Sequence, residues 1–122
     1  MTKKIKLLTK SEHQIMLYLW NLEKGGYTNA ILSQVPEPKP AYTTLATFLK
    51  ILTTKGFIKT TKSDNSKLFY TPKIKKEEYT RFLMAKNQDD FFDGSASKFI
   101  KFLINDNELT AEEKQEIAEM LK

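Results

Sequence analysis

The sequence predicts a mainly α fold with one small β-hairpin, and three observations carry that prediction. Apolar residues recur at helical spacing in six stretches. Between Phe57 and Thr71 the pattern changes to alternation, with a turn at Ser63-Asp64-Asn65-Ser66 between two strand-like runs. The charge is segregated. Residues 1–75 hold 13 lysines against Glu12, Glu23, Glu37 and Asp64, a net +9, while residues 76–122 hold 7 basic and 11 acidic side chains, a net −4. A split of this kind implies two surfaces with different partners, one of them suited to a polyanion.

Thr9-Lys10-Ser11-Glu12 fits a capping box, with Thr9 as N-cap and Glu12 at N3. The helix it opens repeats Ile15, Met16, Leu19, Trp20 and Leu22 on one face, and Gly25-Gly26 ends it. Thr28 is placed to cap a short second helix, Asn29 to Gln34, with Ile31, Leu32 and Val35 inward. Pro36, Pro38 and Pro40 exclude a helix across the next stretch and impose an extended turn. A third helix starts near Ala41 or Tyr42. Its Leu45, Phe48, Leu49 and Leu52 stand at i, i+3, i+4 and i+7, and Thr43, Thr47, Lys50 and Thr54 form the other face. Gly56 falls at C′, after Lys55 in the last turn. Phe57 to Lys62 and Lys67 to Thr71 read as strands, closed by Pro72. Helix, helix, Thr-faced helix and basic hairpin, in this order, are the parts of a winged helix-turn-helix domain over residues 1–74.

After Ile74 the character changes. Lys75 to Lys86 reads as a helix with Tyr79, Phe82 and Leu83 on one side. Asn87 to Gly94 (NQDDFFDG) reads as an acidic, aromatic break. Ser95 to Leu103 or Ile104 is a further helix, and Thr110 with Glu113 forms a second capping box for Ala111 to Leu121, whose Ile117, Met120 and Leu121 point inward. Residues 75–122 are thus a three-helix region. It is too small to bury Phe91, Phe92, Phe99, Phe102, Leu103, Leu109, Ile117 and Leu121 against itself. Each such side chain gains roughly 1.5–3 kcal/mol on burial. A second copy related by a two-fold supplies the missing surface, which makes this a dimerisation region; folding back on residues 1–74 is the alternative.

Several function classes are disfavoured. The 40% hydrophobic content supports a core and argues against disorder. With no Cys there is no disulfide, thiolate metal site or Cys nucleophile, in keeping with a reducing cytoplasm. MTKKIKLLTK is too polar for a signal peptide, and no apolar run reaches the ~20 residues of a membrane span, so no membrane insertion is expected. His13 is the only His, lacks a paired nucleophile and reads as structural or exposed. Asp89, Asp90 and Asp93 read as a solvated loop rather than a metal site, and no phosphate-binding Gly-rich loop exists. Neither catalytic residues, metal nor cofactor is expected, and the chain is not read as an enzyme.

Duplex DNA is the partner that the residues fit. The first turns of a helix lying in a major groove meet base edges, and flanking groups hold phosphates. Tyr42, Thr43 and Thr44 come first here, followed by Thr47 and Lys50. Lys59, Lys62 and Lys67 on the hairpin suit flanking phosphates or the minor groove. Thr is a poor helix former, so four exposed threonines on one helix (43, 47, 53, 54) call for a reason beyond structure. The alternative is a winged-helix protein-interaction module that does not bind DNA.

The chain resembles the penicillinase-repressor (BlaI/MecI/CopY) family in LTKSEHQIMLYLW at 8–20, YTTLATFLKILTTKGFI at 42–58, KLFYTP at 67–72 and FFDGSASKFIKFLINDNELTAEEKQEIAEML at 91–121. The resemblance implies a cytoplasmic homodimeric transcriptional repressor on a palindromic (inverted-repeat) operator, with antibiotic (β-lactam) response among its settings. It implies recognition positions at Tyr42, Thr43, Thr44, Thr47 and Lys50, a wing over Lys59 to Tyr70, and dimer contacts at Phe91, Phe92, Phe99, Ile100, Leu103 and Ile117, to which Phe102 and Leu121 are added as apolar neighbours. β-Lactam-responsive members are inactivated by a membrane sensor protease at an Asn–Phe bond in the fifth helix. The matching pair here is Phe102-Leu103. Copper-responsive members carry C-terminal Cys motifs, which this chain lacks.

Overall fold

A computed structural model describes residues 4–122, so the first three residues of the polar N-terminus lie outside it. Among the described residues the chain forms six helices and a three-stranded antiparallel sheet: α1 (Lys10–Asn21), β1 (Gly26–Tyr27), α2 (Thr28–Leu32), α3 (Tyr42–Thr54), β2 (Ile58–Lys62), β3 (Leu68–Pro72), α4 (Lys76–Phe92), α5 (Ala96–Asp106) and α6 (Ala111–Met120). It divides into two compact units, Met1–Phe82 and Leu83–Lys122, with the division inside α4.

The first unit is a winged helix. The capping box closes as the sequence predicts: the Thr9 hydroxyl accepts from the Glu12 N–H, and the Glu12 carboxylate accepts from the Thr9 N–H at 2.9 Å. α1 ends at Asn21, earlier than Gly25-Gly26, because those glycines serve another purpose. They lead into β1, which pairs Gly26 with Tyr70 and Tyr27 with Phe69 and sets the sheet order β1-β3-β2. A two-residue strand carries no alternation, so the pattern that reveals β2 and β3 is silent for β1. Thr28 does not cap α2. It is the helix's first residue and is buried, and Tyr27 occupies the N-cap without a side-chain bond.

Met16 and Leu19 of α1, Ile31 of α2, Leu45, Leu49 and Leu52 of α3, and Phe57 and Ile58 are almost fully buried together. Gly56 is left-handed (φ 87°) and turns the chain from α3 into β2. The start of α4 belongs to this core. Tyr79 is buried, its hydroxyl accepts from the Leu8 N–H at 3.0 Å, and its ring meets Phe57 edge-on at 5.5 Å. Nearby, the Trp20 indole N–H donates to the Ile74 carbonyl at 3.0 Å, and half-buried His13 lies 6.2 Å from the Tyr79 ring.

In the second unit the expected break at Asn87–Gly94 is absent. α4 continues to Phe92, and the acidic stretch is helical. No Pro or Gly interrupts it, and Asp90 pairs with Lys86 one turn back at 2.8 Å. The chain turns only at Asp93 and Gly94, both left-handed at φ 53° and 75°. Asp89 and Asp90 are therefore helical residues rather than loop residues. The Ser95 hydroxyl caps α5, and Thr110 with Glu113 closes the second capping box on α6. Phe92 stacks on Phe99 at 4.9 Å and touches Phe102 at 5.4 Å. Nothing from Leu83 onward is buried. Met120 and Leu121, read from sequence as inward, are each 75% exposed, because this unit offers them no opposing surface.

Candidate nucleic-acid interface

α3 carries two faces along its length. Leu45, Leu49 and Leu52 seal it to the core, which leaves Tyr42, Thr43, Thr44, Thr47 and Lys50 all exposed on the outside. Tyr42, at the first helical position, is 52% exposed. Ala41 at the N-cap has no side chain to accept from the first turn. The N–H groups there are left for an outside acceptor such as a phosphate oxygen.

The threonines do more than decorate the surface. Thr47 donates its hydroxyl proton to the Thr43 carbonyl at 2.9 Å, and Thr54 donates to the Lys50 carbonyl at 3.1 Å. Thr53, expected to be exposed, is half-buried. It donates to the Leu49 carbonyl at 2.8 Å and lies 2.7 Å from the Thr60 hydroxyl. A carbonyl oxygen has no proton to give, so Thr53 uses its only proton on Leu49, and Thr60 is the donor to Thr53. This chain of two bonds ties β2 to α3. It sets the floor of a groove lined by Ala46, Thr47, Lys50, Leu68 and Tyr70.

The hairpin turn is held by Ser63, whose N–H donates to the Lys67 carbonyl at 2.8 Å and whose hydroxyl accepts from the Lys67 N–H at 3.2 Å. Ser66 takes the left-handed position at φ 61°. In the register Lys62 opposes Leu68, Thr60 opposes Tyr70 and Lys59 opposes Thr71. Lys62 therefore shares a sheet face with Thr60, Leu68 and Tyr70, the face that borders α3. Lys59 lies on the opposite face. The register thus brings Lys62 to the α3 side of the wing, along with Lys50, and leaves Lys59 on the other face, while Lys67 stands at the wing tip in a cleft shared with Tyr42. The odd spacing from 59 to 62 already carries that separation.

Lys55 and Lys39 are engaged by the fold itself. Lys55 pairs with Glu12 at 2.6 Å. Burial pushes the Glu12 carboxyl up, but the Lys55 ammonium and the Thr9 N–H outweigh it and hold the group below the usual carboxylate range. Lys39 donates to the carbonyls of Leu32 at 3.0 Å, Ser33 at 3.4 Å and Val35, which completes the end of α2. A second cleft joins Tyr42 to the wing tip and is lined also by Tyr27, Asn29, Asp64, Asn65 and Lys67. Sequence reading missed Tyr27 and Asn29, because only the pairing of β1 with β3 brings them beside the hairpin.

Residues 8–122 match the family model described as Penicillinase repressor. The chain belongs to the penicillinase repressor family. Membership makes it a transcriptional repressor by kind. No curated protein matches it. Similar solved structures include two mutants of Lactococcus lactis ZitR, each 18% identical and spanning 99% of this chain and 75% of that one, at TM-scores of 0.41 and 0.42. In this chain the Phe102-Leu103 pair lies inside α5 with both side chains about half exposed. Among the described residues no helix is long and apolar enough to cross a membrane, and no three His, Asp or Glu side chains gather to hold a metal ion.

Proposed function

We propose that the chain represses transcription as a homodimer on an inverted-repeat operator, reading each half-site with α3. The observation that carries this is the exposed Tyr42-Thr43-Thr44-Thr47-Lys50 face beside a wing bearing Lys62 and Lys67. A major groove admits one helix, and the flanking lysines neutralise phosphates. Dimerisation through Leu83–Lys122 sets two copies of α3 in successive major grooves, about 34 Å apart. Exposed Phe91, Ile100, Phe102, Leu103 and Leu121 support that role, as do half-buried Phe92, Phe99 and Ile117. Residues 83–122 are proposed as the dimerisation region and residues 1–82 as the DNA-binding domain, so the boundary expected after residue 74 moves past the start of α4. This activity places the chain in the cytoplasm with the DNA. An antibiotic (β-lactam) response is the setting that family membership supports. Release would come from loss of the dimer, through a membrane sensor protease cutting the second unit at a bond other than the family's Asn–Phe pair.

The test is fluorescence anisotropy on a duplex from the gene's own promoter and on a scrambled duplex, across a salt series. Tight promoter binding, weaker binding to the scramble and a steep negative salt slope are expected. Equal, weak binding to both would favour the protein-interaction reading. The double change Thr47→Asp with Lys50→Glu is expected to abolish promoter binding and leave the circular dichroism spectrum unchanged.

A further inference from the structure

Resting on the operator reading, we infer that Thr47 acts as an acceptor-only reader that selects an exocyclic amino group, on adenine or cytosine, in the major groove. A free threonine hydroxyl both donates and accepts, so by itself it distinguishes bases poorly. Thr47 is not free in that sense. Its Oγ1 lies 2.9 Å from the Thr43 carbonyl oxygen, four residues back. Because a carbonyl can only accept, the single hydroxyl proton is committed to the helix, and the exposed oxygen has only lone pairs to offer.

The major-groove edges divide cleanly for such a group. Adenine presents the N6 amino group and cytosine the N4 amino group, both donors. Guanine N7 and O6 and thymine O4 are acceptors. An acceptor-only Thr47 pairs with the first two, while opposite guanine or thymine it sets one acceptor against another. Thr43 and Thr44, one turn earlier, are a useful contrast. Neither hydroxyl has a hydrogen-bond partner among the described residues, so neither is restricted to one role. Lys50, on the same face three residues on, can only donate and complements Thr47. Discrimination in the half-site is thereby assigned to Thr47 by the backbone bond that orients it, and the first-turn threonines are left tolerant.

The experiment is a double-mutant cycle between side chain and base. A randomised duplex library selected on the full-length protein defines the preferred half-site. Each adenine of that half-site is then replaced by purine, and each cytosine by 2-pyrimidinone, which lack only the exocyclic amino group. Binding is measured for the wild type, Thr47→Val and Thr47→Ser. Val keeps the β-branched shape and removes the oxygen, and Ser keeps the oxygen. At one position the wild type and Thr47→Ser are expected to lose about tenfold on the analogue, with Thr47→Val losing no more than the cost of the weakened base pair. Equal losses for wild type and Thr47→Val at every substituted position would overturn the inference and leave the operator reading standing. A selection that yields no preferred sequence would overturn the operator reading and this inference with it.

Discussion

Gly25 and Gly56 share a left-handed backbone, at φ 83° and 87°, but not their surroundings. A Cβ on Gly25 would stand 2.4 Å from the Tyr70 carbonyl oxygen, whereas one on Gly56 would meet nothing within 4 Å. Gly56→Ala is expected to cost about 1 kcal/mol, from backbone conformation alone. Gly25→Ala should cost about 1–3 kcal/mol more, because the β1–β3 approach must open. Urea midpoints at unchanged slope would measure both. Glu12 gives a second prediction at this scale. Its folded-state pKa is lowered, so the stability it contributes is complete at neutral pH. That stability begins to fall near the ordinary carboxylate value of about pH 4 and is gone below the depressed folded value. Glu12→Gln should lower stability at pH 7 by about 1–3 kcal/mol and flatten the acid limb of the stability curve. Both capping boxes were legible because their partners sit three residues apart. The Lys55 end of the Glu12 pair was not, because it arrives from 43 residues away.

At the scale of elements, local signals again separate what sequence reveals from what it hides. β2 and β3 announce themselves by alternation, and α3 by a clean division of Leu from Thr and Lys. The end of α4 is hidden, since acidic residues and a Phe pair suggest a break that only Asp93 and Gly94 supply. Carbon-13 α-shifts of residues 87–92 are therefore expected to be helical; coil values would contradict the fold. The link between α3 and the wing is invisible in the sequence, where Thr53 reads as a surface residue and nothing pairs it with Thr60. Thr53→Val removes the acceptor of the Thr60 hydroxyl. It should cost about 1 kcal/mol and speed amide exchange across residues 60–70, while the α1 amides keep their protection.

At the scale of the whole molecule, every buried apolar side chain among the described residues lies at or before Tyr79. Residues 1–82 are therefore expected to fold alone as a monomer, with the full chain dimeric in sedimentation equilibrium. A fragment ending at Phe82 keeps Tyr79 and its bond to Leu8; one ending at Ile74 gives them up and should be less stable. Operator affinity of the 1–82 fragment should drop about a hundredfold or more, because the second half-site no longer benefits from effective concentration. Unchanged affinity would remove the case for the dimer.

The bare second unit has a consequence for how long the protein survives in a growing cell. If a second copy completes that unit, folding there and association are one equilibrium, and its position depends on the concentration of chains. Each doubling of cell volume without resynthesis halves that concentration and shifts chains toward a state in which residues 83–122 stand open to any protease, well beyond the Phe102-Leu103 bond. Growth without resynthesis would then clear the repressor faster than dilution alone, and the decline should steepen as copies become few. A pulse-chase of the intact chain at two expression levels would reveal this as a half-life that shortens at the lower level.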